Sequence, residues 1–252
     1  MFGKNEILKT VHRFTGTLDV HSIFYTLQGE GPFAGVPAVF VRLHGCTLAC
    51  SWCDTEFEQS KLTLEPSDLV QEATNHIASA NLRNDRPHAL IVLTGGEPLR
   101  QNVVPAVHAF NDAGYAVQIE TAGIHFPTGL DRCIETGACA IVCSPKTARI
   151  HSSVEDYAEA YKYILDRNES WDLDDGLPSF AVSQRGQPPT ARLYRPEVGT
   201  EAEIFVSPLD PPNRESSDYA RNWQMNQEHA AQIAMRYGYR LSLQVHKIVR
   251  LP

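Results

Sequence analysis

The chain is short of positive charge: 22 Lys and Arg stand against 30 Asp and Glu, a formal net charge of −8 over 252 residues. Proteins that track a nucleic-acid backbone neutralise its phosphates with clustered Lys and Arg, so this balance argues against nucleic acid and for a small substrate. Long apolar runs are missing as well. No stretch approaches the roughly 20 apolar residues of a membrane span, and residues 1–20 mix charges without the uninterrupted apolar core of a secretion signal. Both absences predict a cytoplasmic protein with no membrane partner. Low-complexity tracts are lacking, and no repeat exceeds the alternation of strand and helix patterns. Cysteine is scarce, at six, and without the spacing of a small disulfide scaffold, which fits a reducing compartment where thiols stay available for metal.

What is present suffices for one core. At 42% hydrophobic, 252 residues can form a single βα domain spanning 1–252. From Pro37 onward, β-type runs at 37–43, 89–93, 115–121, 138–143, 160–165 and 203–206 alternate with helical patterns, the signature of a parallel sheet covered by crossover helices. An earlier strand at 20–25 and a late one at 241–246 flank them. The first helix, 67–80, puts Leu69, Val70, Ala73, Ile77 and Ala80 on one face. Val103, Val104, Val107 and Phe110 define a second, ended by Gly114, and a long pattern over 217–237 stops at Gly238. Six parallel strands fall short of the eight that close a (β/α)8 barrel, so an open, partial TIM-type barrel is expected, working at the C-terminal ends of its strands. Residues 167–201, rich in Asp, Pro, Gly and Ser, break the rhythm and read as an inserted loop.

Cys46, Cys50 and Cys53 directly follow the first strand of the parallel set. Iron-sulfur cubes are normally held by four cysteines, so three leave one iron open, where the amino and carboxylate groups of a methionine can bind. A zinc site using His44 with the three thiols is the competing reading, but zinc explains neither Gly95-Gly96-Glu97-Pro98 nor the strand before the loop. Disulfides are a weaker alternative. Cys133, Cys139 and Cys143, at intervals of six and four positions, read as buried free thiols.

The Cys-x3-Cys-x2-Cys loop and Thr94-Gly95-Gly96-Glu97-Pro98 together resemble the radical S-adenosylmethionine superfamily. With Phe24-Tyr25-Thr26-Leu27-Gln28-Gly29-Glu30-Gly31 upstream and Cys53-Asp54-Thr55 downstream, the chain is similar to the 7-carboxy-7-deazaguanine synthase family. Shorter motifs extend the likeness: Ile119-Glu120-Thr121, Ser144-Pro145-Lys146, Ser207-Pro208-Leu209-Asp210 and Gln244-Val245-His246-Lys247. The resemblance implies a radical S-adenosylmethionine lyase of the queuosine precursor pathway, which feeds tRNA modification. Its reaction converts 6-carboxy-5,6,7,8-tetrahydropterin to 7-carboxy-7-deazaguanine with loss of ammonia.

The same resemblance implies three cofactors: a 4Fe-4S cluster on Cys46, Cys50 and Cys53, S-adenosylmethionine, and Mg2+ at Thr55. Substrate contacts carried over are Leu27, Gln28, Gly29, Glu30, Arg42, Thr94, Glu120, His246 and Pro252, the last through a terminal carboxylate on a tail anchored by Ile248, Val249 and Leu251. Arg42 offers a planar fork for a carboxylate that a lysine would not. S-adenosylmethionine is expected against Trp52, Cys53, Asp54, Gly95, Gly96, Ser144, Pro145, Lys146, Ser207, Pro208, Leu209 and Asp210. No protein acid or base stands out. Expected partners are an electron donor such as flavodoxin and a second copy in a homodimer. The alternatives are a glycyl-radical activase, which would be expected to lack Leu27-Gln28-Gly29-Glu30-Gly31, and a metal or iron-sulfur binding module without catalysis.

Overall fold

The structure, a computed structural model, describes residues 6–13, 16–53, 55, 61–80, 89–184 and 188–252. Nine strands form one open sheet: β1 (Leu18–Leu27), β2 (Pro37–Leu43), β3 (Leu62–Leu64), β4 (Leu90–Gly95), β5 (Val117–Thr121), β6 (Ala140–Cys143), β7 (Ala158–Leu165), β8 (Glu203–Pro208) and β9 (Arg240–Leu241). Their spatial order is β3-β1-β2-β4-β5-β6-β7-β8-β9. β2, β4, β5, β6, β7 and β8 run parallel, as the alternation of patterns predicts, while β1 and β3 add an antiparallel edge. β9 adds two parallel residues beyond β8.

Among the described residues six α-helices accompany the sheet: α1 (Pro66–Ser79), α2 (Val104–Asp112), α3 (Leu130–Glu135), α4 (Ser152–Tyr157), α5 (Tyr219–Tyr237) and α6 (Val245–Ile248). Their ends follow the sequence signals. Pro66 occupies the first turn of α1, where its missing N–H costs nothing, and Glu65 and Asp68 close a reciprocal capping box. α5 stops at Gly238, which takes the left-handed conformation at φ 75° that a side chain disfavours. α3, α4 and β3 have no forecast counterpart, being too short for a periodic pattern.

Alternate strand residues face the helices. Val39, Val41, Leu43, Ile91, Leu93, Val117, Ile119, Ile141, Tyr161, Tyr163 and Val206 share one buried cluster with Leu69 and Ala73 of α1, Val107 and Phe110 of α2, Leu130 of α3, Val154 of α4 and Ile233 of α5. Ala80, expected on the apolar face of α1, is exposed beyond its end. The late strand at 241–246 is corrected: only Arg240–Leu241 pairs with β8, and Val245–Ile248 is helical. Ser242 and Val245 turn inward there, Ser242 accepting from the Gly31 amide at 2.9 Å and the Val245 amide donating to the Gly29 carbonyl at 3.2 Å.

Residues 167–201 hold no strand or helix among those described, yet they are not a loose loop. Leu177 and Leu193 are buried in the core. Arg195 donates to Asp175 at 2.6 Å and lies over the Tyr163 ring at 5.6 Å. Isolated bridges join Trp171 to Pro178 and Phe180 to Arg192. No helix among the described residues is long and apolar enough to cross a membrane.

Candidate active site

The opposite strand positions face away from the helices, and polar side chains collect there: Arg42 on β2, Thr94 on β4, Gln118 and Glu120 on β5, Lys162 on β7 and Ser207 on β8. A cleft of about 500 Å3 opens over the strand ends. It gathers Cys46, Cys50, Trp52, Cys53 and Thr55 from the loop after β2, and Thr94, Gly95 and Gly96 from the end of β4. Glu120, Ser144 and Lys146 follow from β5 and the turn after β6; Pro208, Leu209 and Asp210 from the end of β8. Glu30, Arg42, His246 and Pro252 complete the predicted positions that line it. Leu27, Gln28, Gly29, Pro145 and Ser207 stand behind this lining, and Asp54 lies outside the described residues.

Glu120 is the polar hub. One carboxylate oxygen accepts from Gln28 Nε2 at 2.9 Å and Gln118 Nε2 at 3.0 Å, the other from Thr94 Oγ1 at 3.2 Å. Gln28 is buried, its amide oxygen taken by the Glu30 amide at 3.1 Å, so it acts by fixing Glu120 and the Glu30 loop. Arg42 lies over the Phe24 ring at 4.9 Å, a cation–π contact that orients the guanidinium.

The glycine motif has a reason the sequence does not show. A Cβ on Gly95, whose φ is 121°, would sit 2.3 Å from the Leu43 backbone, and one on Gly96 only 2.0 Å from the Gly45 carbonyl oxygen. The end of β4 therefore lies directly against the base of the cysteine loop, tied by the Gly96 amide to Leu43 at 3.2 Å and the Glu97 amide to Gly45 at 3.0 Å. Glu97 is fully enclosed and accepts from Thr121 Oγ1 at 2.6 Å, the Ala122 amide at 2.8 Å and the Leu99 amide at 3.0 Å. Burial pushes its carboxyl up, those donors pulling it back.

At the far side, α6 and the residues after it cross the mouth of the cleft. The apolar anchoring expected of Ile248, Val249 and Leu251 is corrected: they are 50%, 52% and 42% exposed. Hydrogen bonds hold this segment instead, the Leu251 amide donating to the His246 carbonyl at 2.8 Å and the Thr26 hydroxyl to Pro252 O at 3.0 Å. Hydrogen bonds replace burial here because α6 has one turn and no facing apolar surface. Gly29 leaves room for His246, whose Nδ1 would stand 1.9 Å from a Cβ at that position.

Of the cleft's cations, Arg42, Lys146 and Lys247 lie in motifs singled out from the sequence, whereas Lys162 and Arg214 were missed. Lys162 pairs with Glu30, and Lys247 and Arg214 both donate to Asp210, at 2.7 and 2.6 Å. Lys146 Nζ lies over the Trp52 ring at 5.4 Å. Alternation within β7 is the signal that could have exposed Lys162, which shares a face with Ala160 opposite Tyr161 and Tyr163. Among described lining side chains five Lys or Arg accompany three carboxylates, three of the cations being paired with Glu30 and Asp210, so an acidic protein concentrates cations at the cleft.

The donor set fits an iron-sulfur cluster. All three thiols of the loop line the cleft, though among the described residues no three metal-ligating side chains stand as a ready-made ion site. Cys133, Cys139 and Cys143 lie instead in the helix-side core; all six cysteines are free. Burial, reinforced by Glu97, pushes the Cys46 thiol up to about 12, so a cation on the sulfur is what would ionise it.

Residues 27–126 match the family described as a 4Fe-4S single cluster domain. A 7-carboxy-7-deazaguanine synthase of Rhodospirillum rubrum is 40% identical, over 100% of both chains. The chain belongs to the 7-carboxy-7-deazaguanine synthase family. A second 7-carboxy-7-deazaguanine synthase, from Rickettsia prowazekii, is 34% identical over 99% of this chain and 95% of its own. The crystal structure of QueE from Escherichia coli superposes with a TM-score of 0.60, covering 91% of this chain and 96% of that one at 21% identity, which shows a shared mixed α/β fold. As a 7-carboxy-7-deazaguanine synthase, the chain is a radical S-adenosylmethionine lyase of queuosine biosynthesis, carrying an iron-sulfur cluster. Membership displaces the activase, the zinc site and the non-catalytic module.

Proposed function

We propose that the 500 Å3 cleft is where 6-carboxy-5,6,7,8-tetrahydropterin becomes 7-carboxy-7-deazaguanine, and that the residues brought together there divide the work. The observation that carries this reading is the convergence of Cys46, Cys50 and Cys53 with Arg42, Thr94 and Glu120 on one face of the sheet. When bound, the 4Fe-4S cluster and S-adenosylmethionine supply one-electron cleavage and a carbon-centred radical.

Arg42 binds the substrate carboxylate with two parallel N–H donors, its plane already set by Phe24. Glu120 accepts paired N–H groups from the pterin edge, and Gln28, Gln118 and Thr94 hold it in that orientation. His246 and Pro252 close the cleft from the segment over Gly29, with Leu27 and Gly29 shaping the floor beneath them and Glu30 set by Lys162. Trp52 and Cys53 cover the adenine side of S-adenosylmethionine, a role the family pattern extends to Asp54, which lies outside the described residues. Gly95 and Gly96 flank its methionine, while Ser144, Lys146, Pro208, Leu209 and Asp210 grip the ribose and methionine carboxylate, backed by Pro145 and Ser207 behind the lining. Lys146 is suited to an anion: burial lowers its pKa, so a negative partner is what would keep it charged.

Magnesium belongs at Thr55, a hard hydroxyl ligand on the cleft wall, where the ion would hold substrate oxygens in a fixed geometry. One continuous sheet supports a single domain over 1–252 with an open, partial barrel. Six free cysteines support a reducing, cytoplasmic setting. An electron donor such as flavodoxin and a homodimer complete the proposal, the latter testable by sedimentation.

The decisive experiment is anaerobic turnover of the reconstituted protein with 6-carboxytetrahydropterin, with and without magnesium, assayed for the deazaguanine. Product that rises with magnesium is expected. Methionine and 5′-deoxyadenosine without deazaguanine would overturn the substrate assignment, and product indifferent to magnesium would overturn Thr55.

A further inference from the structure

The segment 167–201, read from sequence as an insertion, reaches the cysteine loop. The Ser51 amide donates to the Ser183 carbonyl at 3.0 Å, and Cys50 and Gln184 form an isolated antiparallel bridge. The same stretch binds the turn after β6, Val182 N to Lys146 O at 2.9 Å and Tyr194 N to Thr147 O at 3.0 Å. Leu177 and Leu193 root it in the core, so Gln184 is presented from a fixed support.

The Gln184 amide has each of its groups engaged. Its oxygen accepts from the Ala49 amide at 2.7 Å, which fixes which end is nitrogen. Nε2 then donates to the Val182 carbonyl at 3.2 Å and to Cys50 Sγ at 3.5 Å. Cys50 is buried, so this bond is made away from bulk water, where a donor on a charged sulfur is felt most strongly. Reduction adds a negative charge to a cluster, and N–H donors on its ligating sulfurs stabilise that charge and raise the potential. Leu48 N supplies such a donor to Cys46 Sγ at 3.3 Å, but from backbone. Gln184 supplies one from a side chain.

We propose that Gln184 is a positioning residue for the cluster: it holds the Cys50 strand through Ala49 and donates to the Cys50 sulfur, raising the potential at which the cluster accepts its electron. The proposal rests on Cys46, Cys50 and Cys53 being the cluster ligands.

The test is an EPR-monitored redox titration of the anaerobically reconstituted full chain, wild type against Gln184→Glu and Gln184→Met, with iron content measured in each. Gln184→Glu keeps an oxygen for Ala49 and removes the donor to sulfur, so it preserves the loop if Gln184→Met loses iron. Both variants are expected to shift the reduction equilibrium about tenfold toward the oxidised cluster, which is about 59 mV for one electron. A Gln184→Glu protein with full iron and an unchanged potential overturns the role of Gln184 alone. A wild-type protein that takes up no 4Fe-4S cluster overturns the ligand assignment beneath it.

Discussion

At the scale of single residues, two charged side chains carry different burdens. Arg42 sits on the cleft side of β2 with its guanidinium over Phe24. Charge-assisted bonds to a carboxylate contribute roughly 1.5–3 kcal/mol each way they are measured, so Arg42→Ala should weaken binding of the carboxylated pterin about 10- to 100-fold. Uncoupled formation of 5′-deoxyadenosine should persist, because the three cysteine thiols are not altered by this change; equal affinity in binding titrations would remove Arg42 from the substrate site. Asp19, by contrast, serves the fold. Burial alone would raise its pKa, but bonds from Arg13, Thr63 and Lys61 outweigh this and hold it at about 2, below the ordinary 3.8. The carboxylate is therefore favoured in the folded state: its stabilisation is full above the unfolded pKa and is lost as pH falls toward 2. Asp19→Asn should cost on the order of 2 kcal/mol in urea unfolding at pH 7 and flatten the decline between pH 5 and 2. An unchanged acid profile would show the network is not a stabilising one.

At the scale of elements, the glycines separate fold from function. Gly96→Ala forces a Cβ against the Gly45 carbonyl, and neither backbone can retreat without moving the cysteine loop. A loss of about 2–3 kcal/mol and reduced iron incorporation are expected, read by denaturation and metal analysis. Gly29→Ala meets the His246 ring, Nδ1 first, and no backbone among its nearest atoms, so the ring rather than the chain must move. Stability should stay within about 1 kcal/mol while KM for the pterin rises, because His246 leaves the cleft; an unaltered KM would detach His246 from substrate binding. These elements also mark where sequence was readable. β2 and the ends of α1 and α5 carried strong local signals: an unbroken apolar run, a proline at the first turn, a glycine past the last. The 241–246 stretch misled because Val245 is apolar without being in a strand, its amide bonding to Gly29 across the sheet edge. The reach of Gln184 to Cys50 spans 134 positions and leaves no local pattern to find.

At the scale of the whole molecule, a single sheet runs from the antiparallel edge β3 to β9, and helices α1–α5 share one buried cluster against it. Unfolding should accordingly be one cooperative transition, with calorimetric and van't Hoff enthalpies equal; two resolved transitions would divide the chain into separate domains. The site was largely legible because chemistry-bearing motifs sit at strand ends, which the topology alone brings together. Lys162 was a cation left unnamed: the alternation in β7 sets it on the cleft face, but its partner Glu30 lies 132 positions away and leaves no local pattern. The mouth of the cleft has one further consequence. Val245 fastens to Gly29 and Pro252 to Thr26, so the end of β1, already paired with β2, also carries residues 245–252. Residues 245–252 thus wall the cleft from a place in the chain nearly two hundred positions after the cysteine loop, so iron uptake and substrate shelter are separable properties of the fold.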